Sequence, residues 1–463
     1  MSAMWHHARL LRAVLLLTSV MTLTGVHVQH DRTPDGWRVA RLVPLTITSI
    51  AVAGNLAYIF SVTDRAYELM FSLCLNTSNT HGCLMLAFLI CYRRRIHALL
   101  GQVARLERAT VSCSPNGSYH QVISRAVLLF AIPTFCFSFW VIGFFAAAEL
   151  QHPFYILSWY IPSALQTPDW YGVITATQVL SGFISNFTQM AFDVLLAGLA
   201  ESMTLFQERL ETYCQKHLSC TDGASPHPAI LSDALPEEMS KPAAEGQTEE
   251  VGESFNFKLP GLNQVGVWIV RSGGAAHAEP ERTDRLPSER LEETGEQKHM
   301  PELEWRLEQL ATTYGCVRQL AADAASVCSV ATLSLHASLT GGLLLGSYVS
   351  ILMLYRGEAT SVPQLIGFVA FTLGMVLRVL VVSCAGSRLM AGGERLHQTL
   401  AALRWPPAVS AAARFQLQQL LEQTRRPPAL DGWGLFTVQN SNMLGLFSFV
   451  LTYFVILVQM KVH

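Results

Sequence analysis

The chain has 463 residues, of which 51% are hydrophobic and only 14% charged, against about 25% charged in an ordinary soluble domain. Its formal net charge of −2 offers no basic surface for nucleic acid. This balance excludes a simple soluble globular protein and points to a chain whose main solvent is lipid.

Long apolar stretches, several of them uncharged, that reach the roughly 18–20 residues needed to cross about 30 Å of hydrocarbon predict seven spans, at 43–62, 68–91, 126–148, 171–199, 325–354, 364–389 and 434–460. The fold class is therefore an all-α polytopic membrane protein with seven transmembrane helices. Ahead of the first span lies a segment, 1–42, with an apolar run at Leu10–Val26 behind Arg9 and around Arg12. A secretory signal peptide shares that pattern. A spanning or translocating helix there would turn every basic loop outward, so the run is read as a re-entrant or interfacial helix on the cytoplasmic side.

Span 2 is interrupted by Asn76-Thr77-Ser78-Asn79-Thr80-His81, which must face protein or water rather than lipid. Spans 1–4 occupy 43–199. The connection 200–324 contains the one break in composition, at 217–300, where Pro, Gly, Ala, Ser and Glu dominate and a disordered cytoplasmic insertion is expected. On its flanks, Glu201–Gln215 and Pro301–Ala322 read as helical extensions of spans 4 and 5 below the membrane, the second with Leu303, Leu307, Leu310 and Tyr314 at helical spacing. Spans 5 and 6 fill 325–389. Between 390 and 433, Ala411–Gln423 carries Phe415, Leu417, Leu420 and Leu421 in a helical pattern stopped by Pro427-Pro428, which predicts a packed cytoplasmic anchor layer. The last segment, 434–463, holds span 7.

Basic residues set the orientation. Arg9, Arg12, Arg32, Arg38 and Arg41 precede span 1; Arg93, Arg94, Arg95, Arg105, Arg108 and Arg125 follow span 2; Arg388, Arg395, Arg404, Arg414, Arg425 and Arg426 lie at the end of span 6 or in the loop after it. Even without the long loop after span 4, these seventeen stand against Arg65, Arg356 and Lys461 on the other side. The amino terminus is expected in the cytoplasm and the carboxyl terminus outside, in the plasma membrane. The ten cysteines then fall in spans or cytoplasmic loops, so no extracellular disulfide framework is expected. The sequons at Asn76, Asn116 and Asn186 likewise fall in the membrane or cytoplasm, out of reach of glycosylation.

No phosphate-binding loop, dinucleotide fingerprint, metal-ligand cluster or catalytic arrangement is visible, so no enzyme, cofactor or metal role is expected; His6-His7 reads as a solvated pair. Intramembrane charge is more informative, because an ionisable residue in a span marks function or a partner. Asp193 lies in the inner part of span 4 and Arg378 somewhat deeper in span 6. They either pair, directly or through water, or Arg378 snorkels to the headgroups while Asp193 reaches the interface. His336 in span 5 reads as a hydrogen-bonded helix contact or a proton carrier. Aromatic residues crowd the outer halves of the spans: Tyr67, Phe71, Trp140, Phe144, Trp170, Tyr171, Phe368 and Phe371. An interfacial belt explains such a set, and so does an outward-facing pocket for small organic ligands.

Span 7 opens Gly434-Leu435-Phe436 and ends Thr452-Tyr453, Phe454 to Val458, Gln459 and Met460. This ending resembles the arthropod gustatory receptor family, whose last span closes on Thr-Tyr, five hydrophobic residues, Gln and usually Phe; Thr452, Tyr453 and Gln459 match, and Met460 replaces Phe. Related to that family are the insect olfactory receptor channels. The resemblance implies a tetrameric, ligand-gated, non-selective cation channel, homomeric or shared with related subunits, opened by a small-molecule tastant and surrounded by membrane lipid. It also implies a pore lined by the last span, with a gate on its terminal motif. Ile456, Gln459 and Met460 share one helix face there. Sugar-sensing members carry Glu after Thr-Tyr, where this chain has Phe454. The other readings are a transporter using Asp193 and Arg378, and a metabotropic receptor, which requires the reverse orientation.

Overall fold

A computed structural model describes residues 42–61, 66–111, 160–165, 167–218, 302–356, 362–403 and 410–462. Contacts divide the chain into one unit of residues 1–234 with 301–463 and another of 235–300. All described residues belong to the first. The expected span at 126–148, the interfacial helix at 10–26 and the insertion at 217–300 lie outside the described residues, apart from the last residues of α4 defined below.

Eight helices organise the described residues: α1 (Leu42–Ser61), α2 (Ala66–Cys91), α3 (Arg93–Val111), α4 (Pro168–His217), α5 (Glu302–Arg356), α6 (Val362–Ala402), α7 (Ala411–Thr424) and α8 (Asn440–Val462). Among these residues, five helices are long and apolar enough to cross a membrane, and α8 contributes a shorter apolar stretch, Asn440–Ile456. Helix α4 has 50 residues, which at about 1.5 Å per residue is far longer than about 30 Å of hydrocarbon. Its lower turns therefore continue out of the membrane, as do those of α5 and α6.

Burial shows why these helices sit where they do. Helix α4 is central: Phe192, Leu195, Leu199, Met203, Phe206 and Leu210 are all buried. Helix α1 is peripheral, and only Pro44, Thr48, Ala51 and Asn55 are buried, one stripe at three- and four-residue spacing. Its Leu42, Val43, Ile50 and Phe60 point away, which costs nothing in lipid. Between α2 and α3 the chain does not turn back. Phe88 O accepts from Tyr92 N at 2.8 Å and Tyr92 O from Ile96 N at 2.9 Å, so the helical ladder runs on through Tyr92. Helix α3 buries Ile96, Leu99, Val103 and Leu106 against the bundle and turns Arg95 and Arg105 outward.

Helix α7 begins where Ser410 Oγ accepts from Ala413 N at 3.1 Å, a side-chain cap. The chain then makes a small hairpin. Val438 N donates to Leu430 O at 2.8 Å, Gly432 N to Phe436 O at 2.9 Å and Leu435 N to Gly432 O at 3.0 Å. Trp433 and Gly434, with φ of 55° and 71°, form the mirror-image turn that suits a two-residue hairpin loop. The last helix therefore starts at Asn440 rather than at Gly434, because left-handed backbone at 433–434 cannot continue into an α-helix.

This hairpin fastens α8 to the bundle. Phe436 stacks on His336 of α5 with ring centroids 4.5 Å apart. The Val438 carbonyl lies against Gly386 of α6, where a Cβ would collide with it. Ser387 Oγ accepts from Asn440 N at 2.7 Å and so satisfies one of the orphan donors of the α8 amino terminus. Ser387→Ala is expected to cost about 1 kcal/mol, the value of a lost cap. A fall of only a few degrees in the melting temperature of detergent-solubilised protein checks this, and no fall would show that the cap contributes nothing.

Candidate functional site

The described residues bring together a buried polar seam where α2, α4, α5 and α6 meet. Its centre is Arg378. Its Nε donates to Asp193 Oδ2 at 2.5 Å and its Nη2 to Asp193 Oδ1 at 3.3 Å, a two-point guanidinium–carboxylate contact. Arg378 Nη1 donates to Gln189 Oε1 at 2.7 Å and lies 3.7 Å from Met375 Sδ. Gln189 passes the network to α2 through its Nε2, which donates to Ser78 O at 2.7 Å. Asp193, Arg378 and Gln189 are all buried.

The polar run that interrupts span 2 thus faces protein. Ser78 meets Gln189, and His81 Nδ1 lies 3.1 Å from Ser334 Oγ of α5. The other ring nitrogen of His81 is buried without a partner among the described residues. Close approach makes the seam possible, since Gly82 lies against Ser185 of α4 and a Cβ at that position would run into the serine backbone and hydroxyl. Gly82→Val is expected to force α2 off α4. Loss of a monodisperse peak from detergent extracts is the check, and a normal peak with an unchanged melting temperature contradicts the packing. Asn76 and Asn186, the membrane sequons, are half-buried in α2 and α4, while Asn116 is outside the described residues.

Below the seam, α4 and α6 run parallel and carry a ladder of opposite charges. Arg388 Nη1 reaches Glu201 Oε1 at 2.6 Å, Arg395 Nη2 reaches Glu208 Oε1 at 3.2 Å, and Thr399 Oγ1 donates to Glu211 Oε1 at 3.3 Å. Glu201 and Glu208 are one heptad apart, as are Arg388 and Arg395. Pairs with both side chains 45–48% exposed contribute little stability, so Arg395–Glu208 fixes register more than it holds the helices together.

The other sequence-derived residues are dispersed. His336 Nδ1 lies 3.0 Å from Thr332 O, and the ring packs on Phe436 as described above. Phe371 is half-buried against the core beside Gly346, and Trp170 stands exposed at the start of α4. Tyr67, Phe71, Tyr171 and Phe368 lie in helices, but their side chains are outside the described residues, as are Trp140 and Phe144 altogether. On α8, Thr452 Oγ1 donates to Ser448 O at 2.8 Å and Tyr453 packs on Phe449 with centroids 4.4 Å apart. Ile456 is 42% exposed, Gln459 is exposed, and the side chain of Met460 is outside the described residues. Among the described side chains of α8, only a narrow face around Val450 is buried; Leu444, Leu451 and Val455 project outward with Ile456.

The architecture has a counterpart among solved structures. The insect olfactory receptor OR5 from Machilis hrabei in complex with eugenol is similar over 99% of each chain, with a TM-score of 0.69 at 12% identity. Another structure of that receptor gives 0.66 at 13% identity, over 98% of this chain and 99% of that one. The chain is thus an all-α polytopic membrane protein with the fold of an insect olfactory receptor. In sequence, the profile of the 7tm chemosensory receptor family matches residues 268–462, so the resemblance to the insect-type chemosensory receptors holds in both the carboxyl-terminal sequence and the fold. No curated protein matches it in sequence.

Proposed function

We propose that this chain is a gustatory-type chemosensory receptor that works as a ligand-gated, non-selective cation channel in the plasma membrane. Its amino terminus is cytoplasmic and its carboxyl terminus outside. Four copies, identical or related, place α8 around a central pore, while α7 and the lower turns of α4, α5 and α6 form the anchor layer. The observation that carries this reading is α8: the helix with the family motif is fastened at its base by the hairpin, yet leaves an apolar face uncovered along its length. In a pore, Ile456 and Met460 form stacked apolar collars that exclude water, and Gln459 a polar ring between them.

A relative of the same fold was solved with eugenol, a small organic molecule, which supports a ligand of comparable size here. Phe371, with Tyr67, Phe71, Trp140, Phe144, Trp170, Tyr171 and Phe368, is the candidate lining for it, and Phe454 in place of Glu disfavours a sugar. A transport role for Asp193 and Arg378 has less support, because among the described residues the two groups engage each other and Gln189. Calcium imaging across a tastant panel, in cells expressing only this chain and a matched dye-loaded control, tests the reading. A response that needs extracellular cations supports it. A response that survives their removal and is abolished by blocking G-protein signalling points to a metabotropic receptor. In unpermeabilised cells only a carboxyl-terminal epitope tag is expected to stain, and staining of an amino-terminal tag alone overturns the orientation.

A further inference from the structure

From the middle of α5, we infer a hinge at Gly341–Gly342, about which the outer part of that helix moves when the candidate pocket fills; the trigger rests on the channel reading, the hinge on the helix itself. The described helices contain two adjacent glycine pairs. At Gly392–Gly393 of α6 packing requires them, since added Cβ atoms would run into Gln207 and Pro427. At Gly341–Gly342 it does not. Among the described residues, an added Cβ would come no closer than 3.4 Å to Thr77 and 3.6 Å to Met375, both ordinary contact distances. Each glycine weakens the helix about fivefold relative to Ala, so the pair softens α5 where close approach does not demand it.

The turn below the pair carries the groups that an opened ladder needs. Thr340 Oγ1 donates to His336 O at 2.7 Å, so that carbonyl keeps a donor when its ladder amide moves away. Ser338 is 5% exposed, and its hydroxyl has no partner among the described residues. It stands three residues before Gly341, the spacing at which a serine caps the amino terminus of a helix. A break here therefore leaves the outer segment with a cap already in place. Such side chains let a membrane helix open at glycine without baring its backbone to hydrocarbon. The two sides of the hinge have different partners. Above it, a Cβ on Gly346 would lie 3.9 Å from Phe371 of the candidate ligand lining; below it, His336 stacks on Phe436 in the hairpin that leads into α8. A bend at 341–342 changes the angle between the pocket wall and the base of the last helix.

The test combines hydrogen–deuterium exchange on the purified full-length protein with calcium imaging of the same variants across the tastant panel. The segment 338–345 is expected to exchange ahead of its neighbours in α5. Gly341→Ala/Gly342→Ala should slow it about 25-fold, roughly fivefold for each glycine, and raise the melting temperature. Gly342→Ala alone, with about a fivefold slowing, serves should the double variant not fold. At matched surface expression, the double variant should need up to about 25-fold more of any panel compound that activates the parent, because the same factor enters the activation equilibrium. Ser338→Ala removes a cap made only in the bent form. It should also lower sensitivity, by about fivefold, with the melting temperature unchanged. Unslowed exchange across 338–345 in the alanine variants overturns the hinge, whether or not the chain conducts. Slowed exchange with unchanged sensitivity overturns its part in activation. A parent that no panel compound activates counts against the channel reading, and exchange alone then decides the hinge.

Discussion

Replacing Asp193 with Asn is expected to destabilise the protein by about 3–5 kcal/mol, the scale of removing one partner from a buried ion pair. The guanidinium of Arg378 would stay in the bundle, 5% exposed, facing a neutral amide and Gln189. Arg378→Gln should cost a similar amount by stranding the carboxylate. The double variant is expected to be less damaged than the sum of the two, because it leaves no uncompensated charge and keeps polar groups able to bond each other. The comparison that isolates burial is Arg395→Gln, a side chain 45% exposed between Glu208 and Glu211, which should cost less than about 1 kcal/mol. Melting temperatures by fluorescence-detected size-exclusion chromatography give all four values. Additivity of the Asp193 and Arg378 effects, or equal losses at 378 and 395, contradicts the seam as the structural centre.

Shortening the apolar side chain at 456 is expected to act on gating and leave the fold intact. Ile456 is 42% exposed, so Ile456→Ala removes little buried surface within the subunit, and the stability change expected from one chain is under about 1 kcal/mol. If four copies of α8 line a pore as proposed, the same truncation would widen a collar that holds ions back by excluding water, and ligand-independent current should rise several-fold at matched surface expression. Met460→Ala should behave alike, and Gln459→Ala should change cation permeability ratios with little basal leak. Whole-cell recording of the three variants checks this. Unchanged basal current and permeability in all three places the constriction elsewhere.

Much of the bundle was legible in the sequence because a membrane span needs an uninterrupted apolar length, and five of the seven expected segments recur as long apolar helices among the described residues. Span 2 was readable for the opposite reason: its polar run had to face protein or water, and Ser78 and His81 face protein. What the sequence left open was partner choice, with the Asp193–Arg378 pair standing beside a snorkelling Arg378. Asp193 and Arg378 are far apart along the chain, and hydropathy does not say which helices meet. Gln189 went unnoticed as the third member, although it lies one helical turn before Asp193 and so shares its face. The start of the last helix was read too early because Gly434, Leu435 and Phe436 continue the apolar composition of the span. The signal against it was Asp431-Gly432-Trp433-Gly434, turn-forming residues that place left-handed backbone ahead of Asn440.

The most direct test of the channel reading is to reconstitute the purified chain alone into planar bilayers and record current while adding a compound that activates it in cells. The reading predicts unitary cation current steps that appear with the compound and no other protein, and that open without it in Ile456→Ala. Compound binding to the reconstituted protein with no unitary current, in parent and variant alike, would contradict it.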